Sequence, residues 1–149
     1  MYMKQIQPDN LFAMFEVSDE EVYKEHGVTG VLKNPYVLMG MVIRGLENYY
    51  LMDALYSKKY PEEYKRHTKM VRYKYFTNLM GYLERIDWED INEAYKISDS
   101  YDFASTNEAL DLLKDYFEGI EYYEKCSIIK KSQDILYEGA LKNFEVPKV

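Results

Sequence analysis

Apolar residues recur at intervals of three and four along most of the 149-residue chain, the spacing that places side chains on one face of an α-helix. The sequence has no convincing run in which apolar and polar residues alternate, as they would in a half-buried strand. We therefore predict an all-α fold, an irregular single-domain bundle of five or six helices that spans residues 1–149. The predicted helices cover residues 10–16, 19–26, 35–57, 61–85, 88–99 and 106–143.

Residues that favour helix starts set several of these boundaries. Asn34 supplies a capping side chain and Pro35 occupies the first helical position, where its missing N–H costs nothing. Pro61 opens the next long helix in the same way. Asp87 is placed to cap the helix that begins at residue 88, and Ser105 begins a capping box ahead of the last helix.

The last predicted helix contains one glycine, Gly119, near its middle. Apolar residues keep helical spacing on both sides of it, at Ala109, Leu113 and Tyr116 before the glycine and at Ile120, Tyr123 and Ile128 after it. The segment can either break at Gly119 or run through it, and because helical spacing is kept on both sides we expect a single helix that runs through the glycine.

The apolar stripe of segment 61–85 changes face when the segment is wound at about 100° per residue. One set of residues, mostly from the first half, lies on the face opposite the cations: Tyr60, Tyr64, His67, Val71 and Tyr75. The apolar residues of the second half lie on the same face as the cations: Tyr73, Phe76, Met80 and Leu83. Two interpretations stay open: neighbours cover the helix on opposite sides at its two ends, or its first half projects from the bundle towards a partner. Long helices in small bundles commonly change neighbours, which favours the first.

Charge is distributed unevenly along the chain, whose formal net charge is -7. Residues 58–74 hold seven Lys or Arg against two Glu, while residues 87–124 hold twelve Asp or Glu against two Lys. Three interpretations compete: solvated faces that neutralise one another within the fold, an acidic docking surface for a basic protein that handles nucleic acid, or a basic contact for nucleic acid. The overall charge and a pI near 4.9 count against direct nucleic-acid binding.

The residues that we assign to a partner surface form two groups. The acidic group comprises Asp87, Glu89, Asp90, Glu93, Asp111, Asp115 and Glu118. The Tyr/Lys group comprises Tyr60, Tyr64, Lys65, Lys69 and Arg72. Tyrosine is enriched at protein interfaces, so the 17 tyrosines of the chain fit this assignment, although an AT-rich genome would also supply them.

Residues that could form an active site are few and separate. His26 and His67 lack the spacing of metal-binding motifs, and Cys126 falls inside a predicted helix. We expect no catalytic residue, no cofactor and no metal.

The lone cysteine is typical of a reducing compartment, the cytoplasm, and we find neither a signal peptide nor an apolar run long enough for a membrane span.

These features predict a non-enzymatic protein-binding module. A small inhibitor or regulator of the kind that phages and mobile elements encode, acting in the host cytoplasm, fits the size, the acidity and the Tyr/Lys-rich helix. The alternative is a chaperone or scaffold protein that associates with itself through its long apolar helices. Binding of single-stranded nucleic acid through the basic helix is the third hypothesis and the least supported.

Overall fold

The computed structural model describes residues 33–145, which form five helices joined by short turns. The helices are α1 (Pro35–Lys59), α2 (Pro61–Arg85), α3 (Ile91–Ser100), α4 (Phe103–Gly119) and α5 (Tyr123–Glu145). No strand occurs within these residues, and the predicted all-α bundle is confirmed. The helices predicted at residues 10–16 and 19–26 lie outside the described residues, and a single domain over residues 1–149 stays a prediction.

The two long helices begin where the sequence predicts. Asn34 caps α1, because its Oδ1 accepts a hydrogen bond from the backbone N–H of Tyr36 at 2.9 Å, and Pro35 is the first helical residue. One residue, Tyr60, joins α1 to α2, and its N–H donates to the carbonyl oxygen of Tyr56 at 2.8 Å. Helix α2 then begins at Pro61 and ends at residue 85, as predicted.

Helix α3 begins three residues later than predicted, and Asp87 does not cap it. Asp87 instead accepts a hydrogen bond from the N–H of Glu89 at 3.0 Å within a turn. The cap is Asp90, whose side chain accepts from the N–H of Glu93 at 3.3 Å. The turn allows Trp88 to be buried with its indole N–H donating to a carbonyl oxygen at the end of α2. Burial of this ring therefore delays the start of the helix.

The cap of α4 also differs from the prediction. Asp102 is the capping residue, and its carboxylate accepts hydrogen bonds from the backbone N–H of Ser105 at 3.1 Å and from the Ser105 hydroxyl at 2.9 Å. These bonds lower the pKa of Asp102, because they stabilise its charged form. Ser105 therefore lies in the first turn of a helix that begins at Phe103.

The prediction of one helix through Gly119 is wrong. Helix α4 ends at this glycine, and the chain reverses through Glu121, which has a φ of 62°. The N–H of Tyr122 closes the turn on the carbonyl oxygen of Phe117 at 2.8 Å. The reversal lets α5 pack back against α4 and α3, so that apolar residues on both sides of the turn are buried in the same bundle.

The core is formed mainly by α1, α2 and α4, and α3 and α5 add further buried residues to it. Its fully buried side chains include Leu38, Met39, Leu46, Tyr49, Phe76, Met80, Leu83, Ile97, Leu110 and Phe117. Helices α1 and α2 approach closely at Gly45, where an added Cβ would overlap the Cδ2 atom of Leu79. The hydroxyl of Tyr75 also donates to the Gly45 carbonyl oxygen at 2.8 Å. The two helices therefore form one tightly packed hairpin at this level.

The buried face of α2 widens along the helix and does not switch sides, which corrects the predicted change of face. One stripe stays buried to the end of the helix: Tyr64, Val71, Tyr75, Leu79 and Tyr82. A second set is added in the C-terminal half, where α2 also contacts α4: Phe76, Met80 and Leu83. Tyr73, predicted to join this second set, is 41% exposed. Contact with α4 therefore buries a second face of α2, while the first face stays buried.

Candidate functional site

Burial decreases towards the tip of the α1–α2 hairpin. Tyr49 is the last buried residue of α1, and none of residues 50–59 is buried. On the α2 side only Tyr64 is buried before Val71. We call residues 50–72 the hairpin arm. At about 1.5 Å per residue, each of its two limbs extends roughly 15 Å beyond the last buried position of α1.

The inner side of the hairpin arm holds a cluster of tyrosines. The ring of Tyr56 lies 6.1 Å from that of Tyr60 and 6.3 Å from that of Tyr64, between ring centroids. The hydroxyl of Tyr64 donates a 2.5 Å hydrogen bond to Oδ1 of Asp53. Burial raises the pKa of Tyr64, and the bond to Asp53 raises it further, so the phenol stays a donor at neutral pH. These contacts hold the two limbs together.

Arg72 is fixed at the base of the hairpin arm by a tyrosine of α1. Its Nε donates a 2.8 Å hydrogen bond to the hydroxyl oxygen of Tyr49, whose ring centroid lies 6.0 Å from the guanidinium carbon. This bond is the main reason that the pKa of Arg72 is raised, while burial raises the pKa of Tyr49. Tyr116 of α4 stacks on Phe76 beside them at 4.4 Å, and burial raises the pKa of Tyr116 to about 12. The guanidinium group of Arg72 is therefore held in place beside packed aromatic side chains.

A groove between the two limbs runs from this base towards the tip. Its volume is about 320 Å³. It is lined by Asp53, Ser57, Pro61, Tyr64, Lys65, Thr68 and Arg72. We call it the arm groove. Its lining carries three hydroxyl groups, two cations and one carboxylate.

The outer surface of the α1 limb is apolar. Leu51 is 68% exposed and Leu55, one helical turn later, is 51% exposed. Ala54 between them is exposed as well, and Tyr50 is 44% exposed beside them. These four positions of one limb form a small apolar patch.

The first four residues of the predicted acidic group have structural partners. Asp87 and Asp90 accept backbone hydrogen bonds in the turn before α3 and at its cap. Glu93 pairs with Lys96 at 3.1 Å, and Glu89 pairs with Lys131 of α5. Turn formation, capping and ion pairing account for these side chains.

The other three acidic residues lie on α4. Asp111 is half-buried and accepts a 2.7 Å hydrogen bond from Nε2 of Gln133, which is buried on α5. Asp115 and Glu118 are exposed. The structure therefore divides the acidic group between α4 and the region formed by the α2–α3 turn and the first turn of α3.

The members of the predicted Tyr/Lys group also have different surroundings. Lys65 and Lys69 are exposed, and Arg72 is exposed but tied to Tyr49, whereas Tyr64 is buried inside the hairpin arm. Tyr60 is half-buried at the joint between the helices. The partners on α1, Tyr49 and Asp53, were not identified from the sequence, although their spacing of one helical turn in an otherwise apolar segment places both on one face.

Candidate catalytic residues lack suitable surroundings. Cys126 is half-buried, its thiol donates to the carbonyl oxygen of Lys114 at 3.6 Å, and burial raises its pKa, with Glu118 adding to the effect. A thiol of this kind is a poor nucleophile at neutral pH. His67 is half-buried in the hairpin arm, and His26 lies outside the described residues. Within residues 33–145 no group of three His, Cys, Asp or Glu side chains is placed to hold a metal ion.

A larger groove of about 720 Å³ separates the outer sides of α4 and α5. Its charged lining residues are Lys114, Lys130, Lys131, Glu118, Asp134 and Glu138. Cations and carboxylates are equal in number, and Lys130 pairs with Asp134 at 3.2 Å. This groove therefore selects no sign of charge.

We compared the chain with models of protein families, with curated proteins and with solved structures, and no match was found in any of the three comparisons. None of the helices formed by residues 33–145 is long and apolar enough to cross a membrane. Function is therefore inferred from the chemistry of the hairpin arm.

Proposed function

We propose that the chain is a non-enzymatic protein-binding module, a small regulator or inhibitor that holds an acidic partner protein with the hairpin arm. The proposal is supported mainly by the surface of the hairpin arm, which combines the apolar patch at Leu51 and Leu55 with exposed cations. An apolar centre beside charged groups is the usual anatomy of a protein interface.

The charge of the hairpin arm supports an acidic partner. Residues 50–72 hold six Lys or Arg against three Asp or Glu, a net of +3 within a chain of net -7, which leaves -10 for all other residues. An acidic surface is therefore attracted by the arm and repelled by the remainder of the chain. Electrostatic complementarity of this kind orients the encounter and raises the association rate.

A protein partner fits this surface better than nucleic acid. The three carboxylates Asp53, Glu62 and Glu63 interrupt the cations of the arm, so a continuous phosphate backbone would meet repulsion at intervals. An exposed leucine pair contributes nothing to phosphate contacts, whereas it can fill an apolar depression of a protein. A partner with separate acidic groups around such a depression matches both features.

The tyrosine cluster prepares the hairpin arm for binding. Contacts among Tyr56, Tyr60 and Tyr64, together with the bond to Asp53, hold the two limbs in register before a partner arrives. Less conformational entropy is then lost on association, because the binding surface is already ordered.

The test is affinity capture followed by measurement with the purified pair. Wild-type chain, the double variant Leu51→Ser/Leu55→Ser and the control Leu112→Ser, which alters a residue of α4 that is 37% exposed, serve as baits in nuclease-treated lysate of the source cells. A protein retained by wild type and control but lost by the arm variant is purified for titration. We expect the dissociation constant to rise at least about tenfold for the arm variant and to rise with salt for the wild type.

Three results would overturn the proposal. Loss of binding in Asp115→Asn/Glu118→Gln with full binding in the arm variant would assign the interface to the acidic face of α4. Binding of a nucleic acid in place of a protein would assign the arm to phosphate contacts. A bait that captures only itself, with a solution mass that is a multiple of 17.8 kDa, would indicate self-association.

A further inference from the structure

The arm groove has the properties of a small anion site. Lys65 and Arg72 line it from the same helix, seven residues or about two turns apart, with Thr68 between them. Both cations belong to long side chains, so their charged ends can reach one bound group from two sides. A volume of about 320 Å³ is sufficient for a phosphate or for the end of an acidic side chain.

Arg72 is prepared for this role by its bond to Tyr49. The Nε–H group is occupied by the Tyr49 hydroxyl at 2.8 Å, which fixes the plane of the guanidinium. Arg72 lines the groove, and its two terminal nitrogens carry further N–H donors of the kind that pair with carboxylate and phosphate oxygens. The hydroxyl group of Ser57 lines the same space and can donate a further hydrogen bond, while the hydroxyl group of Thr68 is hydrogen-bonded to Tyr64.

Asp53 is the one carboxylate of the lining, and it limits the affinity without removing the site. Its Oδ1 accepts the bond from Tyr64, and its charge lies close enough to raise the pKa of Arg72. The charges of the lining still sum to +1, with two cations against this one carboxylate. Asp53 thus holds the limbs together and sets the strength of the anion site.

From this geometry we infer that the arm groove binds one anionic group, a carboxylate or a phosphate, with Arg72 and Lys65 as its ligands. The inference rests on the proposed function only for the source of that group, which would be an acidic or phosphorylated side chain of the partner. Phosphate binds more tightly than a carboxylate, since a dianion gains from both cations.

The anion site is tested on the chain alone. The Nε–H resonance of Arg72 is followed in ¹⁵N-labelled protein while inorganic phosphate or acetate is added at constant ionic strength. We expect a saturable shift with phosphate and a weaker one with acetate. A shift that grows linearly without saturation, or acetate binding that equals or exceeds phosphate binding, would overturn the inference.

Matched variants identify the ligands. Lys65→Gln should weaken phosphate binding about fivefold, whereas Lys69→Gln, which removes an exposed cation one turn away that does not line the groove, should leave it unchanged. Asp53→Asn should strengthen binding by a similar factor, because the amide side chain keeps an oxygen for the Tyr64 hydroxyl but loses the repelling charge. Thermal unfolding checks that each variant is folded.

Equal losses in the two lysine variants would show general attraction and no site. An unchanged affinity in Asp53→Asn would place the anion elsewhere. Failure of these titrations leaves the loss of partner binding in Leu51→Ser/Leu55→Ser untouched, so the failure of the anion site and that of the proposed function can be told apart.

Discussion

Tyr64 should control the order of the hairpin arm. It is 4% exposed and is the only buried residue among residues 50–70, so Tyr64→Ala removes the centre of the arm's small core. Truncation of a buried aromatic side chain costs about 3–5 kcal/mol. Because no other buried side chain holds this region, we expect most of that cost to fall on the local stability of the arm.

A second variant separates the ring from the hydroxyl group. Tyr64→Phe keeps the ring contact with Tyr56 but leaves Asp53 without the donor that now lies at 2.5 Å. Loss of a hydrogen bond to a charged group costs about 1.5–3 kcal/mol. Asp53 is half-buried and water can replace part of the bond, so the lower end of this range is expected. The arm should therefore open more often in Tyr64→Phe, but far less than in Tyr64→Ala.

Amide hydrogen exchange measures both effects residue by residue. In Tyr64→Ala, the amides of residues 51–70 should lose protection, while those near Val42 and Leu83 in the core keep theirs. Leu51→Ala is the control, because Leu51 is 68% exposed and its truncation should change stability by less than about 0.5 kcal/mol.

Two results would refute this reasoning. A uniform loss of protection across α1 and α2 would mean that the hairpin unfolds as one unit with the core. Unchanged exchange in residues 51–70 would mean that contacts other than those of Tyr64 order the arm.

Two further predictions concern the bundle. In Gly45→Ala the added methyl overlaps the end of the Leu79 side chain, at a cost of about 1–3 kcal/mol, while helix propensity returns about 1 kcal/mol; urea titrations should therefore show no gain in the free energy of unfolding, and a gain of about 1 kcal/mol would contradict the close approach of α1 and α2. The pKa of Asp102 is lowered in the folded chain, so its stabilising contribution is present above the pKa of the unfolded state, about 3.9, and is lost as the pH falls through the folded value. The stability difference between wild type and Asp102→Asn should therefore change between pH 7 and pH 2, and a difference independent of pH would refute the role of the charge.

Local signals were sufficient to predict the hairpin. Asn34, Pro35 and Pro61 define starts that depend only on neighbouring residues, and both long helices begin there. The start of α3 depends on burial of Trp88, which the sequence does not disclose, and the cap therefore moves from Asp87 to Asp90.

The break at Gly119 shows why apolar periodicity alone predicted one helix where the structure has two. Tyr116, Ile120 and Tyr123 keep helical spacing across the turn, yet the chain reverses there so that α5 can cover α4 and α3. The packing of α5 against α4 and α3 therefore determines where the helix ends, and Gly119 is the one local feature of the sequence that indicates this end.

The hairpin arm was predicted in part. The cluster of cations at residues 58–74 was derived from the charge pattern, whereas a first half of α2 that projects towards a partner was the less favoured of the two interpretations and stays a prediction. The partners of Tyr64 and Arg72 were missed, because Asp53 lies 11 residues and Tyr49 lies 23 residues away along the chain. Contacts between helices of this kind follow from the register of the hairpin, which one sequence does not specify.

The most direct test of the central claim is photo-crosslinking from the hairpin arm. A photoreactive amino acid replaces Leu55 in the arm, Asp115 on α4 or Tyr137 on α5, all of which are exposed, and each chain is irradiated in lysate of the source cells. The account predicts an adduct with one acidic protein from position 55, abolished by Leu51→Ser, and none from positions 115 and 137. An adduct from position 115 but not from position 55 would show that the hairpin arm is not the working surface.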